Sequence, residues 1–136
     1  MFYISAALTV GWFFFMTYLS HQNGEGTSRT SKGLADQLER YFPIGEYWKL
    51  HGILRQSAHV IVFAVFAVLL LFTISQRWDN WRNYTGAIVS MLLWTWIDEA
   101  TKPWIQGRHF SWYDVRLNLL GVWIGTIIFI VYMVTK

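Results

Sequence analysis

Asp98 and Glu99 stand side by side at the end of an apolar, aromatic run, MLLWTWIDEA. Carboxylates in such a setting suit general acid or base work, or they orient cations that hold an anion. His51, Arg55 and His59 are spaced by four, which puts them on one stripe of a helix. Asp114 and Asn118 have the same spacing, and Gly121 and Gly125 continue their face as a GxxxG pair. That pair lets a second helix come close. Three basic groups (Arg55, His59, Arg108) and three acidic ones (Asp98, Glu99, Asp114) can therefore converge.

The elements that carry these residues are very apolar. Only 14% of the 136 residues are charged, against roughly 25% in an average soluble domain. The mean hydropathy is +0.31 even with a polar loop included. This excludes a disordered chain, a nucleic-acid-binding domain and an ordinary soluble enzyme. Zero Cys excludes disulfides, thiolate metal sites and a Cys nucleophile. A membrane span needs about 20 apolar residues. Four segments qualify, at about 1–20, 53–74, 84–104 and 115–135. The first has no charged side chain, no basic n-region and a poor cleavage site, so it reads as a retained span. Pro103 fits the end of the third, because proline is costly inside a helix. Backbone groups in lipid must pair internally. The expected fold is an all-α integral membrane protein: a single domain over 1–136 with four transmembrane helices in a small bundle. Trp48, Trp78, Trp81, Trp104, Trp112 and Tyr113 fall near span ends, where an aromatic belt sits.

The longest connection, about 20–52, begins with the polar, Gly-rich SHQNGEGTSRTSKG, which reads as irregular. Leu34, Leu38, Tyr41 and Phe42 then form one apolar face. They predict a short amphipathic helix on the membrane surface, capped by Thr30 or Ser31 and ended by Pro43 and Gly45.

Four spans place both termini on one side. The opposite side carries eight of the 11 Lys and Arg, seven of the 8 acids and all 4 His. Nearly all the chemistry is thus at one membrane face. Ionisable groups at membrane depth cost roughly 2.5–3.5 kcal/mol each on insertion scales. They either lock helices together as a compensated network or line a polar pocket. The number of groups here favours the pocket.

The ordered set of residues resembles the VanZ-like family, small bacterial membrane proteins named for a teicoplanin resistance protein. Ser20-His21-Gln22 followed by Ser28 and Ser31 is similar to that family's first-loop pattern. Arg55-Gln56-Ser57-Ala58-His59 resembles its Arg-x-x-Ala-His signature, and Asp98-Glu99 its Asp-Glu pair. Gly107-Arg108, Asp114, Asn118, Gly121 and Gly125 resemble its tail. The chain departs from the pattern at Lys102, where the family usually has Gln, at Gln106 for Pro, at Val60 for an aromatic residue and at Phe63 for Tyr. The resemblance implies a cell-envelope role in the bacterial cytoplasmic membrane and a link to glycopeptide tolerance. It supplies no mechanism.

Three functions fit these residues. In the first, Arg55, Arg108 and Lys102 hold the phosphate of an anionic lipid or a lipid-linked envelope precursor, since a guanidinium fork makes two parallel bonds to an oxyanion. Asp98 and Glu99 orient the cations, Asp114 and Asn118 complete the polar wall, and Ser20, Gln22, Ser28 and Ser31 close over the head group as a loop. In the second, an intramembrane hydrolase or transferase uses Glu99 or His59, with Asp98 beside them, as acid and base, and Arg55 or Arg108 stabilises negative charge. No metal or cofactor is expected, because two further ligands at helix spacing are not evident beside His59, Asp98 and Glu99. In the third, the Gly121–Gly125 seam docks a second copy or another membrane protein without catalysis. Nucleic acid is not an expected partner. For orientation, eight cations against three put the polar face in the cytoplasm by charge. The link to drugs acting outside the membrane favours an outward polar face with cytoplasmic termini, and that orientation is adopted.

Overall fold

The computed structural model describes residues 1–22, 24–41 and 47–136, except for the side chains at 24, 27, 30, 31, 38, 39, 41 and 47–51. The chain forms α1 (Phe2–Ser20), α2 (Gly24–Tyr41), α3 (Tyr47–Ser75), α4 (Trp81–Thr101), a 3₁₀ turn at Lys102–Trp104, and α5 (Trp112–Thr135). No strand occurs among the described residues. Phe2–Ser20, Gly52–Ser75 and Trp112–Thr135 are long and apolar enough to cross a membrane. α4 is not among them, although its 21 residues reach about 31 Å. Arg82, Asn83, Asp98 and Glu99 dilute its apolar run.

The main interface is between α3 and α5. Gly121 and Gly125 make it possible. A Cβ on Gly121 would lie 2.9 Å from the Phe63 Cβ, and one on Gly125 would lie 2.7 Å from the Ala67 Cβ. The seam is therefore filled by α3 of the same chain. Around it, Met16, Phe63, Phe66, Leu71, Met91, Val122 and Phe129 form the buried core, drawn from all four long apolar or half-apolar helices. α1 is fastened to α3 by polar bonds. The Thr9 and Thr73 hydroxyls lie 2.9 Å apart, Gln76 donates to the Ser5 hydroxyl at 2.8 Å, and the Trp12 indole donates to the Val62 carbonyl at 3.0 Å.

α4 runs along this group and not across it. Its Tyr84 meets Phe129, its Trp94 meets Phe13, and its Asp98 meets Ser20. Asn80 caps its start by accepting from the Asn83 amide, and Pro103 stands in the 3₁₀ turn at its end. Phe2 packs edge-on against Trp78, and Tyr132 against Phe72, so both termini lie at the α3–α4 corner. The outer faces of α1 and α5 expose Leu8, Phe14, Ile127, Ile128 and Val131. Trp78, Trp81, Trp104, Trp112 and Tyr113 are exposed near helix ends, whereas Trp48 is among the undescribed side chains.

The first connection corrects the expectation. The polar run read as irregular is helical from Gly24, so α2 has 18 residues and is not a short helix. Gly, Ser and Thr give this stretch little helix propensity of its own. Packing against α3, with Ala35 fully buried, supplies what propensity lacks. Of the expected apolar face, Leu34 is described, while the side chains of Leu38, Tyr41 and Phe42 are not.

Candidate functional site

The end of the bundle away from the termini gathers the polar residues in two layers. The inner layer is closed. Asp98, Glu99 and Lys102 are all fully buried. The one-turn spacing along α4 into the 3₁₀ turn brings the Lys102 ammonium onto Glu99, with Asp98 3.9 Å away. Glu99 also accepts from the Ser111 amide at 3.2 Å, and Ser111 in turn caps α5 by accepting from the Asp114 amide. Asp98 accepts a 2.6 Å bond from the Ser20 hydroxyl. Behind it, His21 bonds the Thr17 carbonyl and the Thr101 hydroxyl. One compensated cluster thus ties together the ends of α1, α4 and α5.

The outer layer is open. Arg55 and His59, one turn apart on α3, both face Asp114 of α5. The Arg55 guanidinium lies 3.6 Å from its carboxylate and His59 Nε2 lies 3.8 Å from it. His59 Nδ1 bonds the side-chain oxygen of the fully buried Asn118 at 2.9 Å. The Asn118 amide nitrogen and one Asp98 oxygen are buried with no hydrogen-bond partner among the described residues. Arg108 arrives from the loop before α5. Burial, then the nearby Arg55 cation, lower its pKa from the ordinary arginine value, while Glu99, Asp114 and Asp98 oppose that shift.

A cavity of about 160 Å³ opens beside this outer layer. Its polar wall is Ser20, Gln22, Arg55, His59 and Arg108. Its apolar wall is Met16 and Leu19 from α1, Leu34 from α2, and Leu54, Ala58, Val62 and Phe63 from α3. Of the residues named from sequence, Arg55, His59, Arg108, Ser20 and Gln22 therefore meet at one space. Asp114 and Asn118 stand behind Arg55 and His59. Asp98, Glu99 and Lys102 lie deeper and do not line the cavity. Ser28, expected in a closing loop, is exposed on helix α2, and the side chain of Ser31 is outside the described ones. Gly121 and Gly125 serve the α3–α5 contact. No group of three metal-ligating side chains occurs among the described residues. The apolar wall had one legible signal: Ala58, Val62 and Phe63 continue the Arg55–His59 stripe.

A family model described as VanZ/LLP1 matches residues 5–133, which takes in every residue of both layers. The chain belongs to the VanZ family. No curated protein and no solved structure matches it. Within this VanZ protein, Lys102 belongs to the closed inner layer. Its cation is taken up by the two adjacent carboxylates.

Proposed function

We propose that this VanZ-family protein binds the anionic head group of a membrane lipid or lipid-linked envelope precursor in the cavity beside Arg55 and Arg108. One observation carries this reading: a single space joins two arginines to an apolar wall. Arginine forks suit phosphate oxygens, and the apolar wall suits the chain behind them. Asp114 orients Arg55, and Asn118 orients His59. The buried Asp98–Glu99–Lys102 cluster holds the frame, so Lys102 is not a ligand contact in this reading.

In the same proposal α4 is the fourth span. It has the length, and it runs beside α1 and α5 along its course. The setting is the bacterial cytoplasmic membrane, with the cavity outward and the termini cytoplasmic. A change in lipid or precursor exposure there would alter glycopeptide (teicoplanin) tolerance, the property that gave the family its name.

The test is direct binding. The purified protein in phosphatidylcholine nanodiscs is titrated with phosphatidylglycerol or phosphatidic acid. Both arginines replaced by Ala should weaken binding by about tenfold or more, since a charge-assisted bond contributes about 1.5–3 kcal/mol. Equal binding by the wild type and the double variant would sink the proposal.

Acid–base catalysis has one observation in its favour. His59 lines the cavity while its other nitrogen is held by Asn118, the arrangement that orients a base. Glu99 is occupied by Lys102 and the Ser111 amide, so catalysis would rest on His59. Loss of activity in His59→Ala with lipid affinity retained would favour this second function.

A further inference from the structure

We infer that an anion entering the cavity binds together with a proton, which His59 takes up on Nε2. This rests on the anionic-ligand proposal above and adds its regulation by pH.

The free site is balanced. Its two layers hold three cations (Arg55, Lys102, Arg108) and three carboxylates (Asp98, Glu99, Asp114). These charges cancel while His59 is neutral. An oxyanion bound beside Arg55 and Arg108 leaves one negative charge in excess. Uncompensated charge at a buried end is costly. Among the described residues that line the cavity, His59 is the side chain able to gain a proton near neutral pH.

The ring is placed for this task. His59 Nδ1 lies 2.9 Å from the side-chain oxygen of Asn118, which only accepts, so Nδ1 carries a hydrogen. In the neutral ring Nε2 is therefore bare, and it faces the Asp114 carboxylate at 3.8 Å. Lone pairs oppose each other there until a proton arrives. Asp114 meanwhile has the Arg55 guanidinium at 3.6 Å. The Arg55 side chain is 49% exposed, whereas that of His59 is 14% exposed. The arginine can turn to an anion while the imidazole stays beside the carboxylate. A proton on Nε2 then gives Asp114 the partner that Arg55 withdraws.

The charges around His59 favour a neutral ring while the cavity holds no anion. Arg55 stands one turn away on α3, Lys102 approaches from the 3₁₀ turn, and Asp114 faces the ring from α5. Arg108 enters the same cavity from the loop before α5. Asp98 and Glu99 of α4 are engaged by Lys102. α1 brings uncharged Ser20 and Gln22 to the cavity, and α2 brings Leu34. Three cations thus oppose one carboxylate, and a bound anion shifts that balance toward the protonated ring.

The probe is dihexanoyl phosphatidylglycerol. A phosphate monoester changes charge near pH 6, whereas this diester keeps one negative charge, so the protein alone titrates. Calorimetry follows its binding to the purified full chain in decyl maltoside micelles, in two buffers of different ionisation heat. The difference in heat counts the protons taken up per anion. Uptake is expected at neutral pH. Because the bound state holds the extra proton, affinity should fall by about tenfold or more between about pH 5.5 and about pH 8.5. His59→Gln removes the titrating ring and should bind without uptake, at the high-pH affinity of the wild type throughout. His59→Asn serves if His59→Gln does not fold. Wild-type binding without proton uptake, or undiminished uptake in the His59 variant, would overturn the coupling and leave the anionic site standing. No binding at any pH would overturn the anionic site itself, and this inference with it.

Discussion

Replacing Lys102 by Met should cost more stability than any other single change at the polar end. Met retains much of the apolar stem, so little packing is lost. What disappears is the cation shared by two fully buried carboxylates, one bonded to it and the other 3.9 Å away. Breaking a buried pair by removing one partner costs about 3–5 kcal/mol, because a charge is left buried without compensation. Glu99→Gln is milder, at about 1–3 kcal/mol, since Lys102 still has Asp98 and only hydrogen bonds are impaired. The double variant should therefore cost less than the two single costs added, with a coupling of about 1–3 kcal/mol. The assay is reversible unfolding of the purified protein in mixed micelles as dodecyl sulfate is raised, followed by Trp fluorescence. A Lys102→Met loss under about 1 kcal/mol, or strict additivity with Glu99→Gln, would refute the compensated cluster.

Three further outcomes are expected. Gly125→Leu should abolish the folded protein, because even a Cβ there meets Ala67 at 2.7 Å, whereas Gly11→Ala has open space and should stabilise by up to about 1 kcal/mol; thermal unfolding separates the two. Ser20→Ala removes the 2.6 Å bond to Asp98 and should cost about 1–3 kcal/mol in the same unfolding assay, since a buried carboxylate loses a donor. Because the chain has no Cys, a thiol at exposed Gln106 and, separately, at exposed Arg82 reports sidedness through an impermeant maleimide on intact cells. The outward-cavity orientation requires Gln106→Cys to label and Arg82→Cys not to; the reverse labelling would invert it.

Helical periodicity made much of the site legible. Arg55 and His59 share a stripe because they are one turn apart, and the structure sets both at the cavity. Asp114 and Asn118 face the same way for the same reason. The glycines below them mark where a helix comes close, but not which helix. Contact with α3 needed Phe63, Ala64 and Ala67 to present a matching surface, and nothing local to Gly121 or Gly125 names that partner. The helix over 24–41 was illegible in its first half, because GEGTSRTSKG has poor intrinsic propensity and its stabilisation comes from α3.

Apolar length, the absence of Cys and the placement of charge are local or additive properties of the chain. They determined an all-helical protein with membrane-capable segments and a polar end. Whether a given charge stays at a pocket or goes inward is not additive. Lys102 has the composition of a ligand contact, yet the 3₁₀ turn and the neighbouring carboxylates bury it completely. Its desolvation is offset by two acids held in place by α1 and α5. The cavity likewise needs α1, α2 and α3 at once, since a space exists only where several surfaces fail to meet. That depends on the packing of whole helices, which no run of residues encodes alone.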